Sequence, residues 1–99
     1  MLPEVILRPE AEIDVEEAAS WYEFQQPGLG LEFLDEIKCV FNRVAQNPLL
    51  YKVLHRSVRR ALIHKFPFGV YYCVTEKEIV VIAVMHECRN PLRWQERTS

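Results

Sequence analysis

Apolar residues fall into distinct spacings along this chain, and each spacing predicts a different element. Residues 2–7 (LPEVIL) are a short extended segment, placed at a sheet edge because Pro3 has no N–H to give to a ladder. From Pro9 the period changes. Ala11, Val15, Ala18, Ala19 and Tyr22 recur three and four apart, which is one face of a helix over about residues 9–25. Pro9 fits the first turn of such a helix, and Glu10 and Glu12 suit the positive end of its dipole.

Pro27-Gly28-Leu29-Gly30 breaks the pattern, and a second helical stripe follows in Phe33, Leu34, Ile37, Val40, Phe41, Val44 and Ala45. Asn47-Pro48 stops it, since a residue before proline disfavours helical geometry. Two helices joined so tightly form an antiparallel hairpin, with most of the acids on its outer side. Residues 49–57 are predicted as a loop or short extended arm carrying Lys52, His55 and Arg56. Strands are predicted over about 58–64, 70–74 and 78–85, linked by Phe66-Pro67-Phe68-Gly69 and by Thr75-Glu76-Lys77. Asn90-Pro91 ends the strand region, and residues 92–96 can make one helical turn.

The order β-α-α-β-β-β predicts an α+β fold: a small antiparallel sheet with the helical hairpin packed on one face. The last strand raises a question about the other face. Residues 79–85 are apolar at every position, so neither face of that strand can be wet. With strict alternation, Ile79, Val81 and Ala83 face one way and Val80, Ile82 and Val84 the other. The uncovered set calls either for a partner polypeptide laid across it or for closure by curvature and the side chains of Tyr71, Tyr72 and Trp94.

Composition narrows the class. At 99 residues, 49% hydrophobic and 26% charged, the chain is one globular domain, residues 1–99. No apolar run approaches the roughly 20 residues that span a bilayer. No basic start followed by an apolar stretch marks a secretory signal, and Cys39, Cys73 and Cys88 have no paired spacing, so reduced thiols in a cytoplasm are expected. The net charge of −2 hides a polarity: residues 1–37 hold ten acids and one base, Arg8, whereas residues 38–99 hold eleven bases and four acids. Between Lys38 and Thr75 there are seven bases and no acid. That basic half suits nucleic acid, an acidic protein, or the acidic half of its own fold.

The chemistry concentrates where the last strand ends, in His86, Arg89 and Arg93. His86 and Cys88 lack a second ligand pair, so no metal is expected, and no cofactor loop is present because the PGLG break lacks the lysine and further glycines of a phosphate cradle.

Motifs through most of the length resemble the RelE/ParE superfamily of type II toxin–antitoxin (plasmid stabilisation) toxins. They are Trp21-Tyr22-Glu23, the PGLG turn before Phe33-Leu34, Asn47-Pro48 with Tyr51, Val58-Arg59-Arg60, Phe66-Pro67-Phe68, Val70-Tyr71-Tyr72, and Ala83-Val84-Met85-His86 leading to Arg89, Pro91 and Trp94. The resemblance implies growth inhibition by a toxin that a cognate antitoxin neutralises, through one of two mechanisms. ParE-like members disable DNA gyrase without being nucleases; RelE-like members cut messenger RNA on the ribosome without a metal. In the second case the catalytic set would be Arg60, His86 and Arg89. Gly69 stands where such nucleases carry another cation, and Gln95 near where they carry a tyrosine, which with the acidic pI near 5.9 favours the ParE-like, non-enzymatic reading. Contacts to a target or antitoxin are then expected from Arg59, Lys65, Tyr71, Tyr72, Arg93 and Trp94. Each residue also has a plainer role: His86 as a hydrogen-bonding strand end, Arg89 as a partner of Glu87 or a cap, the tyrosines as packing, Trp94 as a lid. Arg59 and Arg60, adjacent in a strand, must face opposite ways. The free toxin is expected as a monomer or weak dimer.

Overall fold

A computed structural model describes residues 3–98. Its elements are β1 (Glu4–Leu7), α1 (Pro9–Gln25), α2 (Leu29–Gln46), β2 (Val53–His55), β3 (Val58–Leu62), β4 (Phe68–Val74), β5 (Glu78–His86), α3 (Leu92–Gln95) and a closing 3-10 turn, Glu96–Thr98. Leu2, expected in the first strand, lies outside the described residues. Five strands form one sheet in the order β1-β5-β4-β3-β2. The last three strands make the expected antiparallel meander, while β1 lies parallel to β5 at the edge and makes the sheet mixed. The hairpin α1–α2 carries the chain from β1 across to β2 at the opposite edge, and the meander then returns to bring β5 alongside β1.

The helical hairpin follows from its punctuation. Gly28 takes φ 91, the left-handed geometry that glycine tolerates, and has no side chain with which to cap α2. Glu23 caps it from the preceding helix: its carboxylate accepts the Gly28 N–H at 3.0 and 3.1 Å and the Gly30 N–H at 3.1 Å. Gly30 is fixed by space instead. A Cβ there would sit 2.7 Å from the Ala19 carbonyl oxygen, so only glycine lets the two helices approach this closely. The acid of the WYE motif and both glycines of the turn thus serve one joint.

The helices cover one face of the sheet. Ala11, Val15, Phe33, Ile37, Val40 and Val44 meet Ala61, Val70, Tyr72, Ile79, Val81 and Val84 in the main core. At one end, Phe33 stacks on Tyr22 at 5.4 Å and meets Phe66 and Phe68 edge-on, each at 5.2 Å. Each fully buried aliphatic or aromatic side chain contributes about 1.5–3 kcal/mol to such a core.

The other face is closed by the chain itself. Trp94, 4% exposed on α3, stacks on Tyr71 at 4.6 Å and joins Val58, Ile82, Ala83 and Met85 in a second cluster. Tyr72 belongs to the helix side and takes no part in that closure. A bulge explains the membership. Tyr71 pairs with Ala83 but Tyr72 with Val81, leaving Ile82 as an extra residue in β5. Ile82 and Ala83 therefore face the same way, and the strict alternation read from the sequence fails for both Ala83 and Val84, which exchange faces.

Two boundaries also move. Within residues 49–57, Val53–His55 forms a strand paired with β3, turned by Arg56 at φ 53. β3 ends at Leu62 and β4 begins at Phe68, with Lys65 at φ 72 in the intervening turn.

Candidate functional site

The first feature of the site lies where β1 ends opposite Val81, so the following residues of β5 have no strand on that side, and two charged side chains bond to their backbone groups. Asp14 of α1 accepts the Val84 N–H at 3.0 Å, and Arg97 donates to the Ile82 carbonyl at 3.0 Å. The two side chains also pair with each other at 2.6 Å. Arg8 donates to the Arg97 carbonyl at 3.0 Å and ties down the same tail. The C-terminal segment is thus fastened at two points, by Trp94 on one side of the sheet and Arg97 at the bulge.

Beside this clasp runs a groove of about 980 Å³ between α1 and the end of β5. One wall is α1, with Glu10, Asp14 and Glu17; the other carries Arg89, Arg93 and Arg97. Ala18, Tyr22, Phe68 and Met85 give it an apolar lining, and Ile13 and Trp21 stand exposed on the helix side. An apolar floor between an acidic and a basic wall suits an amphipathic peptide segment with charges of both signs. Burial raises the Tyr22 phenol above its ordinary pKa, so it remains neutral there at physiological pH.

The nuclease constellation is not brought together. His86 pairs with Phe68, and the two rings lie 5.6 Å apart on the helix side. Arg60 pairs with Tyr71 on the opposite face, where its stem runs across Gly69: a Cβ at 69 would come within 2.9 Å of Arg60 Cδ. Arg60 thus fills the space that a side chain at 69 would need. His86 is committed as well, because its Nδ1 accepts the Cys88 N–H at 3.0 Å. Accepting at Nδ1 places the proton of a neutral ring on Nε2. Arg89 sits in the exposed turn after β5 and lines the groove, whose lining does not include Arg60.

The expected contact residues also divide. Tyr71, Tyr72 and Trp94 are buried and contribute packing. The Tyr72 hydroxyl donates to the Pro48 carbonyl at 2.7 Å. Burial pushes its pKa up to about 12, with nearby Arg59 pulling the other way. Arg59 faces away from Arg60, as strand alternation requires, and donates to the carbonyls of Tyr51 at 2.6 Å and Leu49 at 3.2 Å. Its charge holds the arm before β2 in place. Lys65 and Arg93 remain exposed, and Arg93 lines the groove. Among the described residues, no group of three His, Cys, Asp or Glu side chains is placed to hold a metal, and no helix is long and apolar enough to cross a membrane.

Sequence reasoning missed Asp14, Glu17 and Arg97. Asp14 had a visible signal, since it lies three residues after Ala11 and four before Ala18, on the flank of the buried stripe. Arg97 had none.

The family described as "ParE toxin of type II toxin-antitoxin system, parDE" matches residues 5–91. The chain belongs to the ParE toxin family. The match runs from β1 to the residue before α3, so it takes in the bulge, His86 and Arg89 and stops short of Trp94 and Arg97. Among solved structures, one titled "Chromosomal ParDE TA system from P. aeruginosa" superimposes with a TM-score of 0.76 at 17% identity, covering 86% of this chain and 96% of that one. At that identity the likeness establishes the shared ParE fold. A search of the curated proteins finds no match.

Proposed function

We propose that this ParE-family toxin acts in the cytoplasm by binding and disabling a core cellular target, DNA gyrase, and is held inactive by a cognate antitoxin laid into the groove beside α1. The observation that carries the reading is the separation of Arg60 from His86 by the sheet itself. An endonuclease working through Arg60, His86 and Arg89 needs those groups around one phosphate. Here a phosphate near Arg89 in the groove has Arg60 on the far face. The groove supports the antitoxin part, because its apolar lining lies between walls of opposite charge that a peptide can satisfy in register.

Two assays on the purified chain test it. Inhibition of gyrase supercoiling with messenger RNA left intact on translating ribosomes is the expected result. Codon-associated RNA cleavage, abolished by Arg60→Ala, His86→Ala or Arg89→Ala, would replace this reading with an RNA endonuclease. For the antitoxin, Arg93→Glu should weaken capture by the product of the neighbouring reading frame, while Lys65→Glu, on the β3–β4 turn, should not.

A further inference from the structure

The outer face of α1 carries a stripe that the core does not use. Ile13, Glu16, Glu17, Ser20, Trp21 and Phe24 fall at i, i+3, i+4, i+7, i+8 and i+11, one face of the helix, and all are exposed. Phe24, at 90% exposure, has almost no cover. α1 contains five Glu and one Asp and no Lys or Arg, so the apolar stripe lies in a wholly acidic helix. The far edge of the sheet presents the converse. Leu49 and Leu50 precede β2, Val53 and Leu54 lie in it, and all four are exposed. Lys52 and Arg56 stand among them, within the acid-free stretch from Lys38 to Thr75. β2 is an edge strand, with one side of its backbone unpaired in the sheet.

We infer that these two surfaces bind each other between copies of this chain, the acidic α1 stripe of one copy seated on the basic β2 edge of the next. Charge selects this pairing over the symmetric ones. Stripe on stripe would set Glu16 and Glu17 against their own kind, and edge on edge would set Lys52 and Arg56 against theirs; only the unlike pairing brings apolar and opposite charges together. The charges that guard β2 against edge-to-edge pairing are the ones that attract the helix. Such a contact is heterologous, so each copy keeps one free surface of each kind and association can continue into open chains. This goes beyond the toxin reading and does not rest on it, although the stripe shares Ile13, Glu17 and Trp21 with the groove, so a second copy and an antitoxin compete for them.

The test is sedimentation of the full chain at low and high salt, with variants at exposed positions. Phe24→Glu removes the stripe and Lys52→Glu with Arg56→Glu reverses the edge; circular dichroism confirms that each is folded. Wild type should show species larger than a dimer at low salt that dissociate as salt is raised, because surface charges are screened beyond about 8 Å at physiological ionic strength. Each variant alone should be a monomer, and their mixture should form a 1:1 dimer that grows no further, since only one working stripe and one working edge meet. A wild type that is monomeric at low salt overturns the inference. So does either variant that still self-associates, or a mixture that stays monomeric.

Discussion

The two faces of the sheet are closed by different means. The helix face is filled by two long amphipathic helices, with Phe33, Tyr22, Phe66 and Phe68 interlocked at one end. The opposite face is closed by one indole stacked on one phenol, carried on a single turn of helix near the C-terminus. The first arrangement spreads its stability over many contacts. The second depends on a short segment that must be pinned, and its pins, Asp14 and Arg97, sit at the groove. The two faces should therefore answer differently to comparable damage.

The largest effect is expected on the helix face. Phe33→Ala removes a fully buried ring from the centre of the aromatic cluster, where rigid neighbours on both helices and the sheet cannot collapse into the space. A loss of about 4 kcal/mol is expected, within the range for such truncations. Urea denaturation should show one cooperative transition at lower midpoint, because every element shares this core.

Trp94→Ala should cost less, about 3 kcal/mol, because a short terminal segment can shift inward to fill part of the cavity. Its signature should be local. Amide exchange in residues 92–98 should speed up well before global unfolding, whereas Phe33→Ala should raise exchange throughout. Uniform exchange in both variants would erase the distinction between the faces.

These contrasts were only partly visible beforehand. The helical hairpin was legible because its signals are local: apolar period, Pro9, the PGLG break and Asn47-Pro48 each act within one turn of chain. β2 was obscured because its hairpin turns on Arg56 in left-handed geometry, with none of the glycine or asparagine that usually marks such a turn. The bulge left no trace, since an extra apolar residue in an apolar run breaks no pattern. With the bulge hidden, the side taken by Ala83 could not be read correctly. The division of the proposed nuclease residues depended on strand register, which sets Phe68 opposite His86 and Gly69 opposite Met85. Gly69 read as a missing cation, and nothing in the sequence marked it as also the space into which Arg60 folds. The Asp14–Arg97 pair joins residues 83 apart, beyond any local signal.

That pair offers the next test. Replacing Arg97 with alanine leaves Asp14 with its Val84 bond and removes the donor to Ile82, at a cost of about 2 kcal/mol for hydrogen bonds to charged groups. Asp14→Asn should cost a similar amount. The double variant should lose less than the sum, because each single change already breaks the shared contact. If instead the two losses add, the bulge and the tail are held independently and the clasp is not one unit. Arg97→Ala should also loosen residues 92–98, linking the groove to the lid on the opposite face.

The smallest effect at neutral pH belongs to Tyr72, whose ring packs on the helix side while its neighbour Tyr71 packs on the other. Tyr72→Phe keeps the ring and removes only the hydroxyl bond to Pro48, so about 1 kcal/mol is expected. Alkali should change the comparison. The folded phenol holds its proton to about pH 12, whereas the unfolded chain releases it near 10. The stabilising contribution is thus fully present below pH 10 and is lost as pH rises through 12, at about 1.4 kcal/mol per pH unit in between. Tyr22 is also raised and steepens the loss in both proteins alike, so the difference between them isolates Tyr72. Denaturation at pH 9 and pH 11 should show wild type falling further than Tyr72→Phe, narrowing or reversing the gap between them. Parallel losses would mean that the Tyr72 hydroxyl reaches water, and that the helix face is less dry than its packing implies.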